Sequence, residues 1–404
     1  MKIKKLSLIL ILIFLILFPF IPISSANQEV SESPSVSAES YFIMDNRTNK
    51  VLYSKEENKK MYPASTTKIL TAILVLENSN LDDVVTASYD AIMSVPEGYS
   101  NAKIQIGEQF TVEQLLELLL VPSANDAANI LAEHIGGTMD SFVTMMNTKI
   151  NELGLTNTHF TNVYGLHDEN HYTTAQDLAF MMKYCLRNDT FRKIAGQASC
   201  AIPATNKYGT RSYNSTNELL ISTNKNYYKY LTAGKTGFTS RAKECLVSSA
   251  YKDNLELICV LLGSNSRFAD TKTLHEYVYS NYSIKNIVNE NDTITSINVS
   301  NATKATESLD LLVTEPVPAL VNNNDSISEI TPEITLNKNI SAPIEEGTVL
   351  GKVKYTINGV SYTTDLVASH NVEKSKIFTY ILYSSIILIG ILLTYRIFFH
   401  KKKI

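Results

Sequence analysis

Ser65 and Lys68 stand three residues apart in Tyr62-Pro-Ala-Ser-Thr-Thr-Lys-Ile-Leu-Thr, and their types could do covalent chemistry together. A serine hydroxyl is a weak nucleophile until a base takes its proton. A lysine serves as that base once burial or a neighbouring cation lowers its pKa. Positions i and i+3 share a helix face, with Cβ atoms about 5–6 Å apart. The apolar pattern beginning at Ile69 puts Ser65 at a helix start, where the helix dipole favours developing negative charge. The spacing alone is weak evidence. Ser-x-x-Lys occurs five times, at Ser65, Ser100, Ser222, Ser240 and Ser249, and a capping serine with a solvated lysine is the plain alternative.

Two further stretches change the weighing. Val121-Pro-Ser-Ala-Asn-Asp126 sets Ser123 and Asn125 at a second helix start, just after an apolar helix ending near Val121. Lys235-Thr236-Gly237 is the one Lys-Thr-Gly in the chain and comes before the strand-like Cys245-Leu-Val-Ser-Ser-Ala250. A glycine there lets a ligand backbone lie close along a strand edge. Each is weak alone: Ser-x-Asn recurs, for example at Ser212, Ser296 and Ser369, and Lys-Thr-Gly suits an ordinary turn. The ordered set of three resembles the S-x-x-K, S-D-N and K-T-G signature of class A β-lactamases and penicillin-binding proteins, with Ala124 in place of the middle Asp.

On these motifs the chain resembles the low-molecular-weight penicillin-binding proteins, specifically the D-alanyl-D-alanine carboxypeptidases. The resemblance runs from about Ser40 to Tyr279 and includes PASTTKILTA, VPSANDAANILAEHIGG, GLHDENHYTTAQDLA and AGKTGFT. Its middle motif is Ser-Ala-Asn, as in that family, which favours a carboxypeptidase over a β-lactamase. The resemblance implies Ser65 as nucleophile and Lys68 as its base. Ser123, Asn125 and Lys235 would form the proton relay and electrostatic wall, with Lys235 and Thr236 holding the substrate's terminal carboxylate beside Gly237. The oxyanion hole would use the backbone N–H groups of Ser65 and Phe238. The implied activity is removal of the terminal D-alanine from peptidoglycan stem peptides in cell-wall maturation, with β-lactams as covalent inhibitors and no metal or cofactor. A non-catalytic penicillin-binding sensor, a β-lactamase and a cross-link endopeptidase are the other uses of such a site; the eight residues after Arg396 leave a sensor little room for a cytoplasmic output.

Two local stretches invite a separate look, and the C-terminal anchor departs from the family in looking transmembrane rather than amphipathic. His167-Asp-Glu-Asn-His171 invites a zinc reading but lacks the helical His-Glu-x-x-His frame; Gly165 before it and Thr173-Thr174 after it read as a loop leading to a helix cap. Arg241 to Glu244 is an unusually charged run and bears on substrate preference.

The elements that position these residues follow from patterning. Tyr41–Asp45 and Lys50–Ser54 flank a polar turn and read as a hairpin. Thr111-Val-Glu-Gln114 is a capping box, and Gly136-Gly137 closes a helix from Asp126 to Ile135. Phe142, Met145, Met146, Ile150 and Leu153 repeat at helical spacing and read as core. Strands return near Cys245–Ser249 and Leu255–Leu262. The fold class is α+β, an antiparallel sheet flanked by helices. Residues 285–371 read as a small β-rich module, because Val353, Tyr355 and Ile357 alternate with polar residues before the hairpin pair Asn358-Gly359.

Both ends carry export signals. Lys2, Lys4 and Lys5, an apolar run from Leu6 to Phe18 and Ser24-Ser25-Ala26 predict a signal peptide over 1–26, cleaved after Ala26. Residues 27–38 read as a polar linker and 39–282 as the catalytic domain. The uncharged stretch Ile377–Tyr395 predicts a transmembrane anchor over 377–397, with a basic cytoplasmic tail over 398–404. The chain should therefore be held on the outer face of the membrane by its C-terminus. A formal charge of −4 gives no nucleic-acid footprint. The cysteines 185, 200, 245 and 259 show no metal spacing and are expected to be free and buried.

Overall fold

The computed structural model describes residues 34–325 and 330–400. The expected signal peptide, most of the expected linker and the last four residues of the basic tail lie outside them. The chain opens with the anticipated hairpin, β1 (Ser40–Asp45) and β2 (Val51–Lys55). A 3₁₀ turn, Ala64–Thr67, runs directly into α1 (Lys68–Asn78). The short strands β3 (Val84–Thr86) and β4 (Gln109–Thr111) pair around α2 (Tyr89–Met93). Then follow α3 (Val112–Leu120), α4 (Asn125–Gly136), α5 (Met139–Glu152), α6 (Ala175–Cys185) and α7 (Asp189–Ala195). A second short pair, β5 (Ser199–Ile202) and β6 (Arg211–Asn214), leads to three long strands, β7 (Leu231–Thr239), β8 (Lys243–Lys252) and β9 (Leu255–Ser264), and to α8 (Arg267–Asn281).

The long strands and the opening hairpin form one antiparallel sheet in the order β2-β1-β9-β8-β7, so β7 is an edge. Strand periodicity decides what each face meets. Ile258, Val260 and Leu262 on β9, with Phe42 and Met44 on β1, join the core shared with the helices from α1 to α7. The intervening Leu257, Cys259, Leu261, Tyr41 and Ile43 pack on Leu274 and Val278 of α8. Helices thus cover both faces. The centre of the larger layer is α1, whose residues Lys68 to Val75 are all buried; a helix enclosed on every side has no polar face to spare, so a lysine on it needs a specific reason.

Local chemistry matches the sequence at several ends. Thr111 and Gln114 make the full capping box of α3. Gly137 closes α4 in the left-handed conformation, at φ +73°. Phe142, Met146 and Ile150 are buried and Met145 and Leu153 pack beside them. All four cysteines are free and buried. At the start of the domain, Ser37 and Ala38, expected in a flexible linker, are instead packed: the Ser37 hydroxyl donates to Asp270 Oδ2 at 2.6 Å and Ala38 is fully buried. A polar segment acquires order here because a buried carboxylate on α8 needs donors.

From Tyr282 onward the chain is β-rich. The strands β10 (Tyr282–Val288), β11 (Thr293–Asn298), β12 (Ser308–Leu312), β13 (Val317–Asn322), β14 (Glu333–Leu336), β15 (Val349–Ile357) and β16 (Val360–Ala368) form a β10–β13 pair and a sheet in the order β11-β12-β16-β15-β14. The β15–β16 turn has Asn358 and Gly359 at φ +50° and +79°, the two positive angles that a type I′ hairpin turn requires. The last element among the described residues is α9 (Ile377–His400), whose window Thr379–Arg396 is long and apolar enough to cross a membrane and is unburied.

Candidate active site

Ser65 sits inside the 3₁₀ turn rather than on the α-helix proper, and Lys68 is the first residue of α1. The turn is fixed by its own sequence. Thr66 donates its hydroxyl to Pro63 O at 2.7 Å and Thr67 donates to Ala64 O at 2.9 Å. Behind Thr67 stands His171. Its Nδ1 accepts the Thr161 N–H at 3.0 Å, so Nε2 carries the proton and donates to Thr67 Oγ1 at 2.9 Å. Burial holds the His171 imidazole neutral, with its pKa pushed down to about 3. This histidine, half of the zinc alternative, is committed to bracing the turn that carries Ser65.

The turn also demands two glycines. Ala64 is held at φ +48°, a costly angle for a residue with a Cβ. Gly165, at φ +91°, passes so close beneath it that a Cβ would lie 1.8 Å from Ala64 O. Gly237 on β7 comes in from the other side, where a Cβ would lie 2.8 Å from Pro63 O and 3.1 Å from the Ser65 nitrogen. The glycine of Lys-Thr-Gly is therefore needed first for contact between β7 and the serine turn. The motif itself lies within the edge strand, paired to β8 through Lys235–Val247, Thr236–Leu246 and Gly237–Cys245, and not in a turn before it.

Lys68 is fully buried. Its Nζ lies 2.9 Å from Ser65 Oγ, 2.6 Å from Asn125 Oδ1 and 3.2 Å from Tyr164 O. Burial first, then the charge of Lys235, press its pKa well below the usual lysine value, while Asp126 pulls the other way. A neutral amine has two hydrogens and one lone pair. Both carbonyl oxygens can only accept, so they take the two hydrogens and the lone pair is left for the Ser65 hydroxyl. The geometry suits a base waiting on a nucleophile.

Ser123 precedes α4 in the left-handed conformation, at φ +67°, and is 5% exposed. Asn125, the first residue of α4, spends its side-chain oxygen on Lys68. Lys235 is also buried, donates to Thr236 O at 3.1 Å, and has its pKa lowered to about 7, by burial and then by the Arg267 guanidinium. The Thr236 hydroxyl meets that of Thr216 at 2.6 Å. Ser65, Ser123, Thr236, Gly237 and the exposed Phe238 all line one cleft of about 610 Å³; Lys68, Asn125 and Lys235 lie beneath its surface.

Three contributors carry no motif in the sequence. Arg267, at the start of α8, donates from Nη1 to Gly237 O at 2.9 Å and lines the cleft. Asp126 turns its buried carboxylate to the N–H groups of Ala102 (3.0 Å) and Ile104 (3.1 Å), tying the segment after Tyr99 and Ser100, which form part of the cleft wall, to the Ser123 helix. Asn162 accepts the Gly165 N–H at 2.8 Å and so shapes the loop beneath Ala64. A polar residue next to a motif, like Asp126, was the one available hint.

A family model described as D-alanyl-D-alanine carboxypeptidase matches residues 27–266, and one described as the C-terminal domain of penicillin-binding protein 5 matches residues 282–374. The chain is 31% identical over 385 residues to the D-alanyl-D-alanine carboxypeptidase DacF of Bacillus subtilis, covering 92% of this chain and 95% of that one. It is 30% identical to DacC of Escherichia coli, with 90% and 91% covered. Among solved structures, penicillin-binding protein 5 of Haemophilus influenzae superposes with a TM-score of 0.64 at 28% identity, covering 85% of this chain and 99% of that one. The peptidoglycan synthesis regulatory factor PBP3 of Streptococcus pneumoniae gives 0.69 at 26% identity, covering 84% and 100%.

Proposed function

This chain belongs to the D-alanyl-D-alanine carboxypeptidase family, and from that premise we propose that it is a serine-type D-Ala-D-Ala carboxypeptidase that trims the terminal D-alanine from peptidoglycan stem peptides. One observation carries the reading: a fully buried, charge-depressed Lys68 whose amine lies 2.9 Å from Ser65 Oγ, beneath a cleft lined by Ser65, Ser123 and Thr236. Ser65 Oγ attacks the carbonyl carbon between the two D-alanines and its proton passes to Lys68 Nζ. The developing oxyanion is taken by the backbone N–H groups of Ser65 and Phe238. Lys235 and Thr236 hold the terminal carboxylate. The proton returns through Ser123 to the departing amine, the C–N bond breaks and free D-alanine leaves. Water, deprotonated by Lys68, then attacks the ester carbonyl and frees Ser65. A β-lactam enters the first half of this sequence and acylates the same oxygen.

The remaining organisation belongs to the same proposal. Residues 1–26 export the chain, residues 39–282 are the catalytic domain, residues 285–371 form a β-rich spacer, and α9 anchors the protein so that the site faces the cell wall. The test is to incubate the purified protein with an N-acylated peptide ending in Lys-D-Ala-D-Ala and assay free D-alanine. The parent should release it and Ser65→Ala should not. Rapid release of hydrolysed penicillin with no D-alanine would instead make it a β-lactamase.

A further inference from the structure

We propose that Arg241 is a specificity-determining residue that pairs with a free carboxylate on the acyl arm of the substrate, on the second or third residue before the cleaved bond. This rests on the reading of the cleft as the D-Ala-D-Ala site. The cleft lining includes two arginines, Arg241 and Arg267, and no aspartate or glutamate. The two arginines are not equivalent. Arg267 is committed to Gly237 O, and its backbone N–H is taken by Glu244 Oε2 at 2.8 Å. Arg241 is exposed and has no hydrogen bond or ion pair among the described residues. Of the acids close to Arg241 in the chain or bridged to its neighbour Lys243, Glu39 bridges Lys59 at 3.0 Å and Lys243 at 2.9 Å, and Glu244 serves the start of α8. What remains is one exposed guanidinium with no partner among the described residues, in a cleft lining free of acids.

Its place in the turn just past the end of β7 sets what it can read. Lys235 and Thr236 mark the terminal-carboxylate end of the substrate. A peptide lying along this strand edge with its C-terminus there runs antiparallel to β7, so its acyl arm advances past Phe238 and Thr239 towards Arg241. β7 ends at Thr239, about 7 Å beyond Gly237, and Arg241 stands in the turn to β8 just past that end. An arginine side chain bends back several ångströms from there, which brings the second and third upstream residues into reach. The exposed ring of Phe238, 64% accessible, walls the approach with apolar surface, which strengthens a charge-assisted pair over one in open water.

The experiment uses the full chain in detergent and pairs of D-Ala-D-Ala peptides differing only in a free carboxylate or its amide on the second or third upstream residue. The readout is the ratio of kcat/KM, acid over amide. For the parent we expect a ratio of about five to ten, shrinking at high salt. In Arg241→Gln it should collapse towards one, and Arg241→Lys should keep part of it. Fluorescent penicillin labelling of each variant confirms an intact Ser65 site. A parent ratio near one, or a ratio kept in Arg241→Gln, overturns the inference while leaving the carboxypeptidase reading standing. Release of D-alanine from no peptide overturns both.

Discussion

At the residue scale burial makes two lysines, Lys68 and Lys235, unlike ordinary lysines. In the proposed mechanism Lys68 must be neutral to act as base, so activity should rise as pH climbs through its depressed pKa. Lys235 must be charged to hold a carboxylate, and its pKa is lowered to about 7. It carries the charge below that value and loses it above, so kcat/KM for a D-Ala-D-Ala peptide should fall as pH rises through about 7. Lys235→Arg, whose guanidinium stays charged, should move the falling limb to higher pH; an unmoved limb would assign it to another group. Asp126→Asn should cost about 1–3 kcal/mol, since the buried N–H groups of Ala102 and Ile104 lose a carboxylate; an unchanged urea midpoint would contradict that role. Ser65, Lys68 and Lys235 were legible because each sits in a short motif. Arg267 was not, because its partner Gly237 is 30 positions away, and nothing local marks a residue whose role is a long-range contact.

At the element scale the site is a meeting of three backbones: the serine turn, the Gly165 loop and the edge strand β7. Gly165→Ala should destabilise the protein by about 3 kcal/mol, because its new Cβ would overlap Ala64 O at a left-handed angle. The measurement is thermal unfolding alongside penicillin labelling, and retention of both would contradict the packing described. Gly237→Ala meets backbone at 2.8 Å rather than 1.8 Å, so it should slow acylation more than it lowers Tm. Helix ends and tight turns could be read directly, as Thr111, Gln114, Asn358 and Gly359 show, because their chemistry is local. The strand through Lys235-Thr236-Gly237 could not. Its Gly-Lys-Thr-Gly composition suits a turn, and only pairing with β8 on one side and contact with the serine turn on the other make it a strand.

At the scale of the whole molecule, an α+β domain carries the site and a β-rich segment separates it from α9. The hairpin pattern around Asn358-Gly359 made the β-rich character readable, whereas the pairing of β10 with β13 joins segments far apart in sequence and left no local trace. Since the side chains of α9 within Thr379–Arg396 are unburied, removing residues 374–404 should leave a soluble protein that penicillin still labels. The full chain should sediment with membranes and be released by detergent but not by salt. Release of the full chain by salt alone would contradict a spanning anchor.

The central claim is that Ser65 is the acylated nucleophile, and the most direct test is to locate the acyl group. Penicillin-treated protein, digested with trypsin, should carry a single adduct on the peptide from Met61 to Lys68, and fragmentation should place it on Ser65 rather than Thr66 or Thr67. An adduct elsewhere, or none in a folded protein, would contradict the account.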